Sequence, residues 1–371
     1  MNRSASPQHP PTVLTIDSGA RGKTDLLHHK SDPSRSLPLV TLHLTDRCNS
    51  RCVSCDYWRH GRDDVTLASI DRLLPDLLAL KTHTVLISGG EPLLHPQWPE
   101  IAELLRGHGM SLWLVTSGLS LAKHAIRAAN LFDAITVSLD GTTPEMYAAI
   151  RGVNAFEKVC EGIRRIAYEG TAVSVRMTVQ RPNYSALPAC VDLAKTLGAR
   201  EVSFLAADVG STVAFGRTPD FHADLSLRPA DLPQFAAIID SLENTHAADF
   251  ASGFIAESPP KLRRLHDYFV AVNGLGAFPR TRCNAPEFSA VVGAAGRISP
   301  CFFINGPVRA APPGLQEELQ STDTIALRRD IREGRRSECT TCVCSMWRDP
   351  QHLAAFSFKH QRVSQDGHAA V

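Results

Sequence analysis

The segment CNSRCVSC places Cys48, Cys52 and Cys55 close together in the sequence. The apolar run 40–44 that precedes it predicts a buried β-strand, so the cysteines should lie in the loop after that strand. Three thiolates at this spacing can bind three irons of a 4Fe–4S cluster, whose usual complement is four cysteines. The segment therefore predicts a cluster with one open iron, which is where chemistry can take place.

The same loop also admits a structural zinc site or a set of structural thiols. Structural zinc sites usually combine paired CX2C or histidine knuckles, and they need four ligands. His43 or His60 could supply the fourth ligand here. The loop by itself leaves both interpretations open.

Length and composition define the broad class of protein. The chain has 371 residues, of which 43% are hydrophobic, and this predicts one large domain with a smaller one. A formal net charge of +1 favours neither nucleic acid nor an anionic membrane as a partner. We see no signal-peptide core and no run near the ~20 apolar residues of a membrane span. We therefore expect a soluble, cytoplasmic protein with a disordered leader at 1–37 and a polar tail at 351–371.

The chain has 10 cysteines, and without an export signal they indicate metal sites or reactive thiols rather than disulfides. Most of them fall into two groups, one at 48–55 and the other at 283–344. Cys160 and Cys190 instead lie within helical patterns, and we predict that both are ordinary core residues.

Residues 38–206 alternate strand-like and helical patterns. This alternation predicts a parallel sheet with right-handed crossovers, either an open sheet or a partial barrel. One helix should begin after a Thr66 cap, and another should open at Asn154 with Glu157 as its capping-box partner. The predicted strands are 40–44, 84–87, 111–115, 134–139, 172–179 and 201–205.

The fifth predicted strand alternates apolar residues with Ser174, Arg176 and Thr178. A closed eight-stranded barrel fills its interior with branched apolar side chains, so a polar face favours a barrel with a cavity. The alternative is that these side chains simply face solvent. If the cavity exists, Arg176 is the first residue we would place on the substrate side.

Polar turns follow the second, third and fourth predicted strands: Ser88-Gly89-Gly90-Glu91-Pro92, Thr116-Ser117-Gly118 and Ser138-Leu139-Asp140-Gly141. The carboxyl ends of parallel strands are where α/β barrels and open sheets place their active sites. The two adjacent glycines lack a Cβ atom, so a ligand can approach the backbone closely there.

These motifs together give residues 39–206 a strong resemblance to the radical S-adenosylmethionine (SAM) superfamily. The resemblance rests on CX3CX2C after the first strand, GGEP after the second, the serine turn, SLDG and the pair Arg151-Gly152. It implies a partial (β/α)6 barrel of TIM type. It also implies that Cys48, Cys52 and Cys55 ligate a 4Fe–4S cluster, and that SAM chelates the open iron through its amine and carboxylate.

The resemblance assigns further cofactor contacts. Gly89, Gly90, Glu91 and Pro92 would line the SAM amine, and Ser117, Ser138 and Arg151 would contact its ribose or carboxylate. An arginine suits a carboxylate because its guanidinium donates two parallel hydrogen bonds. The family often has an aromatic residue immediately before the third cysteine, where this chain has Ser54, with Tyr57 and Trp58 as the nearby aromatic residues.

The implied reaction begins when the reduced cluster passes one electron to SAM. Cleavage then gives methionine and a 5′-deoxyadenosyl radical, which abstracts a hydrogen atom from the substrate. Such an enzyme needs an electron donor, and we expect a flavodoxin or a ferredoxin. The cofactor carries the difficult chemistry, while the protein positions and shields it.

The second cysteine group resembles the auxiliary-cluster module of SPASM and Twitch radical SAM enzymes, over residues 283–350. Cys283, Gly296 and Cys301 form CX12GX4C, but the motif lacks the later cysteines of the full SPASM module. The shortened, one-cluster form is implied, with four ligands: Cys283, Cys301, Cys339 and Cys342. Cys344 could replace Cys342, bind an additional metal or be a spectator, and zinc in place of the cluster is the alternative.

The bridging segment 207–282 should carry helices near 229–243 and 260–272 and lie on the substrate side. A basic run from Arg328 to Arg336 predicts a solvated helix or, alternatively, a docking patch around Arg328 and Arg332 for an acidic electron donor.

The function predicted from the sequence is that of a radical SAM oxidoreductase acting on a small metabolite such as a sugar, cyclitol or cofactor precursor. The leader at 1–37 is too short for a leader-peptide recognition domain, which favours such a substrate. One alternative is a maturase that modifies or crosslinks a ribosomally made peptide or protein. The other is a non-catalytic iron–sulfur or zinc scaffold.

Overall fold

The computed structural model describes residues 36–218, 224–310, 313–344 and 346–349. The predicted tail lies outside these residues, and so does the predicted leader apart from its last two positions. Leu37 belongs to the folded domain, because its side chain is fully buried and its N–H donates to the Leu80 carbonyl at 2.8 Å. The folded domain therefore includes at least the last residue that the sequence analysis assigned to the leader.

Six parallel strands form the partial barrel, and strands that follow one another in the chain are neighbours in the sheet from β1 to β6. The prediction of a parallel β/α architecture is confirmed, and each predicted strand lies within two residues of the observed one at either end. The strands are β1 Leu39–Thr45, β2 Thr84–Gly89, β3 Ser111–Thr116, β4 Ala134–Ser138, β5 Ala172–Val179 and β6 Glu201–Ala206.

Helices connect these strands and cover one face of the sheet. They are α1 Tyr57–His60, α2 Leu67–Ala79, α3 Trp98–Gly107, α4 Leu121–Leu131, α5 Pro144–Arg151, α6 Phe156–Tyr168 and α7 Leu187–Thr196. Thr66 caps α2 as predicted, since its side chain accepts from the Ser69 N–H. The predicted capping box of α6 is wrong: the helix begins after Ala155, and no side chain caps it.

The two faces of the barrel strands differ as the sequence predicted. On β5, Val173 and Val175 are buried against the helix layer, whereas Arg176 and Thr178 on the opposite face are partly exposed. Thr136 of β4 is also buried and accepts a hydrogen bond from the Trp113 indole at 3.0 Å. The inner face is therefore polar and partly open to water. This favours a cavity over a packed apolar centre.

The bridging segment forms α8 Leu232–Thr245, α9 Ala247–Ser252 and α10 Pro259–Val272. The two predicted helices are confirmed, and α9 was missed. Cys160 and Cys190 are both buried core residues, as predicted. Among the described residues, no helix is both long and apolar enough to cross a membrane.

The C-terminal region extends the barrel sheet, which the sequence did not predict. Its hairpin consists of β7 Ser289–Val292, parallel to β1, and β8 Ile298–Ser299, antiparallel to β7. Three helices follow, α11 Leu315–Gln320, α12 Thr322–Arg332 and α13 Ser337–Thr340. The pairing with β1 brings the second cysteine group to the strand that leads into the first one.

The basic run from Arg328 to Arg336 is mostly solvated, as one interpretation predicted, since Arg329, Arg332 and Arg335 are exposed whereas Arg328 is buried. Arg328 is 4% exposed and donates to the Leu319 carbonyl at 3.2 Å, while Arg332 pairs with Glu287 at 2.7 Å. A buried cation and a paired one cannot present two free charges to a partner. The predicted docking patch at these two residues therefore lacks support.

Candidate active site

The first cysteine loop follows β1 and brings three thiols close to one another. Each thiol acts electrostatically on at least one of the others, and none forms a disulfide. Burial raises the pKa of Cys48 to about 11 and that of Cys55 to about 12, because a buried thiolate loses its hydration. Bound iron would supply the positive charge that stabilises these thiolates, so the donor set fits a metal cluster.

Neither histidine of the zinc alternative joins this group. Among the described residues, no three His, Cys, Asp or Glu side chains converge on a point where one metal ion could be held. His43 instead packs edge-on against Tyr57, and burial lowers its pKa to about 4. A 4Fe–4S cluster takes each cysteine on a different iron, so its ligands need not converge on one point.

The end of α5 supports the loop from below. The Arg51 N–H donates to the Arg151 carbonyl at 2.9 Å, and the Val53 N–H donates to the Ile150 carbonyl at 3.0 Å. One Nη atom of the Arg151 guanidinium pairs with buried Asp140 at 3.0 Å. The Nε atom of Arg151 is buried and has no hydrogen-bond partner among the described residues. A buried donor in this state fits an anionic ligand such as the SAM carboxylate.

Glu91 ties the turn after β2 to the turn after β3. Its buried carboxylate accepts from the Ser117 N–H at 2.7 Å, the Ser117 hydroxyl at 2.6 Å and the Thr116 hydroxyl at 2.8 Å. The Leu93 N–H adds a fourth contact at 3.1 Å. Glu91 therefore holds the two turns together, and the Ser117 hydroxyl is engaged with it. The predicted ligand contacts of these two residues stay predictions.

The two glycines of the GGEP turn have a structural reason to be there. Gly89 has a φ of +124°, and a Cβ atom on it would lie 2.3 Å from the Thr45 carbonyl oxygen. A Cβ on Gly90 would lie 2.3 Å from the Arg47 carbonyl oxygen. The turn therefore passes directly against the backbone that leads into the cysteine loop, which only glycine permits. The sequence suggested close approach of a ligand, whereas the structure shows close approach of the chain itself.

The SLDG turn after β4 brings a buried carboxylate to the same edge. Asp140 accepts from the Thr178 N–H at 2.7 Å and pairs with Arg151, so it connects β4, β5 and α5. Ser138 ends β4, is partly exposed and lies opposite Arg176 in the sheet register. The four predicted motifs thus meet at one edge of the sheet, at the carboxyl ends of its parallel strands.

Residues 208–217 contact the other side of the cysteine loop. The sequence analysis did not connect this segment with the site. The Phe215 carbonyl accepts from the Asp56 N–H at 2.9 Å and from the Cys55 thiol at 3.2 Å. The Arg217 guanidinium donates to the Ser54 carbonyl from Nε at 3.1 Å and from Nη2 at 2.8 Å. We call 208–217 the loop clamp. Its contacts use backbone carbonyls, so no side-chain motif signals them.

Aromatic rings connect the loop clamp to the second cysteine group. The Phe215 ring lies 5.0 Å from that of Phe302 and 5.9 Å from that of Phe303. The Phe303 N–H in turn donates to the Cys301 sulfur at 3.4 Å. The two cysteine groups are therefore linked through one aromatic cluster.

The second cysteine group gathers around Cys283. Its thiol acts electrostatically on those of the other four cysteines, Cys301, Cys339, Cys342 and Cys344. Burial raises the pKa of Cys301 to about 12 and that of Cys344 to about 11. The Asn284 side chain binds the backbone of Arg348, which follows these cysteines in the chain. It donates to the Arg348 carbonyl and accepts from the Arg348 N–H, both at 2.8 Å. Five thiols thus stand where one cluster needs four.

The fold and the site together define a class of protein. It is a partial α/β barrel with a cysteine loop after its first strand and polar turns after the next three strands. Residues 42–194 match the model of the Radical SAM superfamily. The resemblance inferred from the motifs is thereby confirmed. Domains of this family bind a 4Fe–4S cluster and SAM.

The comparisons with individual proteins agree on the barrel. GTP 3′,8-cyclase 1 of Mycobacterium tuberculosis (strain ATCC 25618 / H37Rv) is 35% identical over 187 residues, which cover 46% of this chain and 52% of that protein. The chain spans about half the length of the first curated relatives that it matches.

Two solved structures share the fold over most of the chain. Streptococcus suis SuiB bound to S-adenosylmethionine matches with a TM-score of 0.60 at 12% identity, covering 83% of this chain and 72% of that one. Native anSMEcpe with bound AdoMet and Cp18Cys peptide matches with a TM-score of 0.58 at 17% identity, covering 78% and 82%. At such identities the likeness shows a common fold.

Proposed function

We propose that this protein is a radical SAM oxidoreductase that abstracts a hydrogen atom from a small metabolite, such as a sugar, cyclitol or cofactor precursor. The observation that carries the proposal is the meeting of four motifs at one edge of the barrel. The cysteine loop, the GGEP turn, the serine turn and the SLDG turn are joined there by Glu91 and by the pair of Arg151 with Asp140. When bound, the cluster and SAM supply the radical that abstracts hydrogen.

The residues of the chain hold and orient these groups. We assign the irons to Cys48, Cys52 and Cys55, and the SAM carboxylate to the buried Nε of Arg151. The backbone from Gly89 to Pro92 would line the SAM amine, while Ser117 and Ser138 would face its ribose. The polar inner face of the barrel, with Arg176 at its middle, would take the substrate. The aromatic cluster beside the loop would exclude water.

We also propose that the second cysteine group binds an auxiliary 4Fe–4S cluster that assists oxidation. Its ligands would be Cys283, Cys301, Cys339 and Cys342. The support is the gathering of all these thiols around Cys283 and the N–H of Phe303 directed at the Cys301 sulfur. Cys344 lies in the same group and is the alternative to Cys342.

Iron content tests both cluster assignments. Anaerobic reconstitution should give about eight irons per chain, and a Cys48/Cys52/Cys55 triple alanine variant should keep about four. Cys160→Ala is the matched control, because this cysteine is buried in the core, away from both groups. Comparing Cys342→Ala with Cys344→Ala then identifies the fourth auxiliary ligand. Zinc without acid-labile sulfide in the triple variant would contradict the auxiliary cluster.

Activity is tested by adding dithionite and SAM to the reconstituted protein. Formation of 5′-deoxyadenosine in the presence of candidate metabolites supports the proposal. Its absence, with both clusters present, would favour the non-catalytic scaffold. Arg176→Gln should lose product while SAM cleavage continues, and normal turnover would remove Arg176 from the substrate side.

A peptide substrate is the second candidate function. It is favoured by the fold shared with anSMEcpe, which was solved with a bound peptide and covers 78% of this chain. The same assay separates the two functions if short peptides and small metabolites are compared for their effect on 5′-deoxyadenosine formation. The class that raises the rate above the substrate-free background identifies the substrate.

We propose a flavodoxin or a ferredoxin as the electron donor in place of dithionite. Reduced flavodoxin or ferredoxin should support 5′-deoxyadenosine formation at a rate that falls with added salt if charged surfaces guide the encounter. Charge reversal at Arg332 should not change this rate specifically, because that side chain is already paired with Glu287.

A further inference from the structure

Arg176 lies near the middle of β5, on the face opposite the helix layer. In the sheet register it stands between Ser138 of β4 and Ser203 of β6. Its Nε is buried without a hydrogen-bond partner, and within the described residues its guanidinium makes no hydrogen bond or ion pair. An arginine donor that is buried and unpaired is unfavourable, so the position calls for a partner.

The neighbouring cation on the same wall already has its counter-charge. Lys261 of α10 lies 3.3 Å from the Glu257 carboxylate. Glu257 is buried, and it also accepts from the Ser203 hydroxyl at 3.1 Å and from the Phe204 N–H at 2.7 Å. This carboxylate is therefore fully engaged and does not serve Arg176.

The acidic residue closest in the sheet is engaged as well. Glu201 of β6 accepts from the Ser174 hydroxyl at 2.9 Å rather than from Arg176. Burial raises the pKa of Glu201, while the charge of Arg176 acts in the opposite direction. Among the described residues, Arg176 is thus the cation of this wall that lacks a bonded carboxylate.

The position of Arg176 relates it to both cysteine groups. β5 ends near the SLDG turn, where Asp140 accepts from the Thr178 N–H, two residues beyond Arg176. On the other side, Arg176 and Lys261 are both close enough to the Cys344 thiol to interact with it electrostatically. A substrate in the cavity between the two groups would lie against this guanidinium.

We propose that Arg176 forms an anion-binding subsite in the barrel cavity, so that the substrate carries a carboxylate or a phosphate group. This inference rests on the proposed function and narrows its substrate class. The guanidinium fork donates two parallel hydrogen bonds to either group, and its partial exposure on the inner face leaves it accessible from the cavity. The Ser138 hydroxyl, opposite it in the register, can add a further donor.

The test measures binding of inorganic phosphate and of acetate to the reconstituted enzyme by equilibrium dialysis, with saturating SAM present so that the Arg151 site is filled. Wild-type enzyme should bind one of these anions, and Arg176→Gln should weaken that binding by at least about tenfold. Arg176→Lys should retain part of it, since it keeps the charge but loses the fork. Arg200→Gln, an exposed arginine beside β6, is the matched control and should bind normally. A preference for phosphate or for acetate identifies which group the substrate carries.

Equal binding by wild type and Arg176→Gln, or no binding of either anion, overturns the proposal. A rival role for Arg176 is to balance the charge of an auxiliary cluster. If that role is correct, Arg176→Gln changes the EPR signal of the auxiliary cluster but binds the anions as the wild type does. This result would also overturn the anion-binding proposal. Measuring 5′-deoxyadenosine in the same samples distinguishes a failure of the proposed reaction from a failure of the anion-binding subsite. If no 5′-deoxyadenosine forms but anion binding still depends on Arg176, only the proposed reaction is refuted.

Discussion

Replacing Arg217 tests how the first cysteine loop is held. The Arg217 side chain is 1% exposed, and it pairs with Asp208, which is 6% exposed, at 3.0 Å. The same guanidinium makes both hydrogen bonds to the Ser54 carbonyl and lies over the Phe215 ring at 4.9 Å. Arg217→Gln removes the charge and the fork, so it leaves the buried Asp208 carboxylate without its counter-charge and the Ser54 carbonyl without the guanidinium.

The expected cost follows from the burial of the pair. Removing one partner of a buried ion pair typically destabilises a protein by about 3–5 kcal/mol, because the remaining charge is left uncompensated. An exposed pair costs about 0–1 kcal/mol, and Arg263 with Glu243 offers such a pair, with the Arg263 side chain 48% exposed. The double variant Asp208→Asn/Arg217→Gln should recover part of the loss, since it removes the orphaned charge.

Urea unfolding of the metal-free, reduced protein gives these free energies, with Arg263→Gln as the control. The loop itself is followed in reconstituted protein by the EPR signal of the reduced first cluster and its change on adding SAM. We expect Arg217→Gln to lower the unfolding free energy by about 3–5 kcal/mol and to weaken the SAM-dependent change. If it costs no more than Arg263→Gln, or if the SAM-dependent signal is unchanged, the loop clamp is not what positions the cysteines.

Three further predictions follow from buried groups of the site. Burial lowers the pKa of His43 from 6.5 to about 4, so the side chain stays neutral in the folded protein between these values. The unfolding free energy of the metal-free protein should therefore fall by about 3 kcal/mol as the pH falls from 6.5 to 4. His43→Phe should flatten this part of the pH dependence measured by urea unfolding. Gly109→Ala should cost ~1–3 kcal/mol of backbone strain, and Gly89→Ala should cost more. Of these two substitutions, only the one at Gly89 also places a Cβ atom against a carbonyl oxygen. Equal melting temperatures of the two variants would contradict the clash. Glu91→Gln should cost about 1–3 kcal/mol, since the amide NH2 that replaces one carboxylate oxygen would face two of the four donors, and an unchanged unfolding free energy would show that the turns are held otherwise.

The barrel could be predicted because its signals are local. Each strand is a short apolar run bounded by turn residues, and the alternation in the sequence of β5 assigns Val175 and Arg176 to opposite faces. The cysteine spacing and the strand-end turns are likewise contiguous in sequence. The capping box at Asn154 failed because a side chain next to a helix start need not adopt the capping geometry, and Ala155 takes that position instead.

The β7–β8 hairpin was missed because its strands are very short and their burial comes from a partner far along the chain. Ser289–Val292 has only four residues, and it is defined as a strand by its pairing with β1, some 250 positions earlier. The local pattern around Gly296 predicts a turn at most. β-structure of this kind depends on context more than on propensity.

The loop clamp explains why the cofactor site could not be completed from motifs. Cys55 and Phe215 are 160 positions apart, and what connects them is a carbonyl oxygen that any residue could provide. Segment 207–282 was predicted to lie on the substrate side, whereas its first part supports the cysteine loop and packs on Phe302 beside Cys301. The two cysteine groups are thus connected through packed aromatic rings whose residues carry no recognisable motif, and only the packed structure reveals this connection.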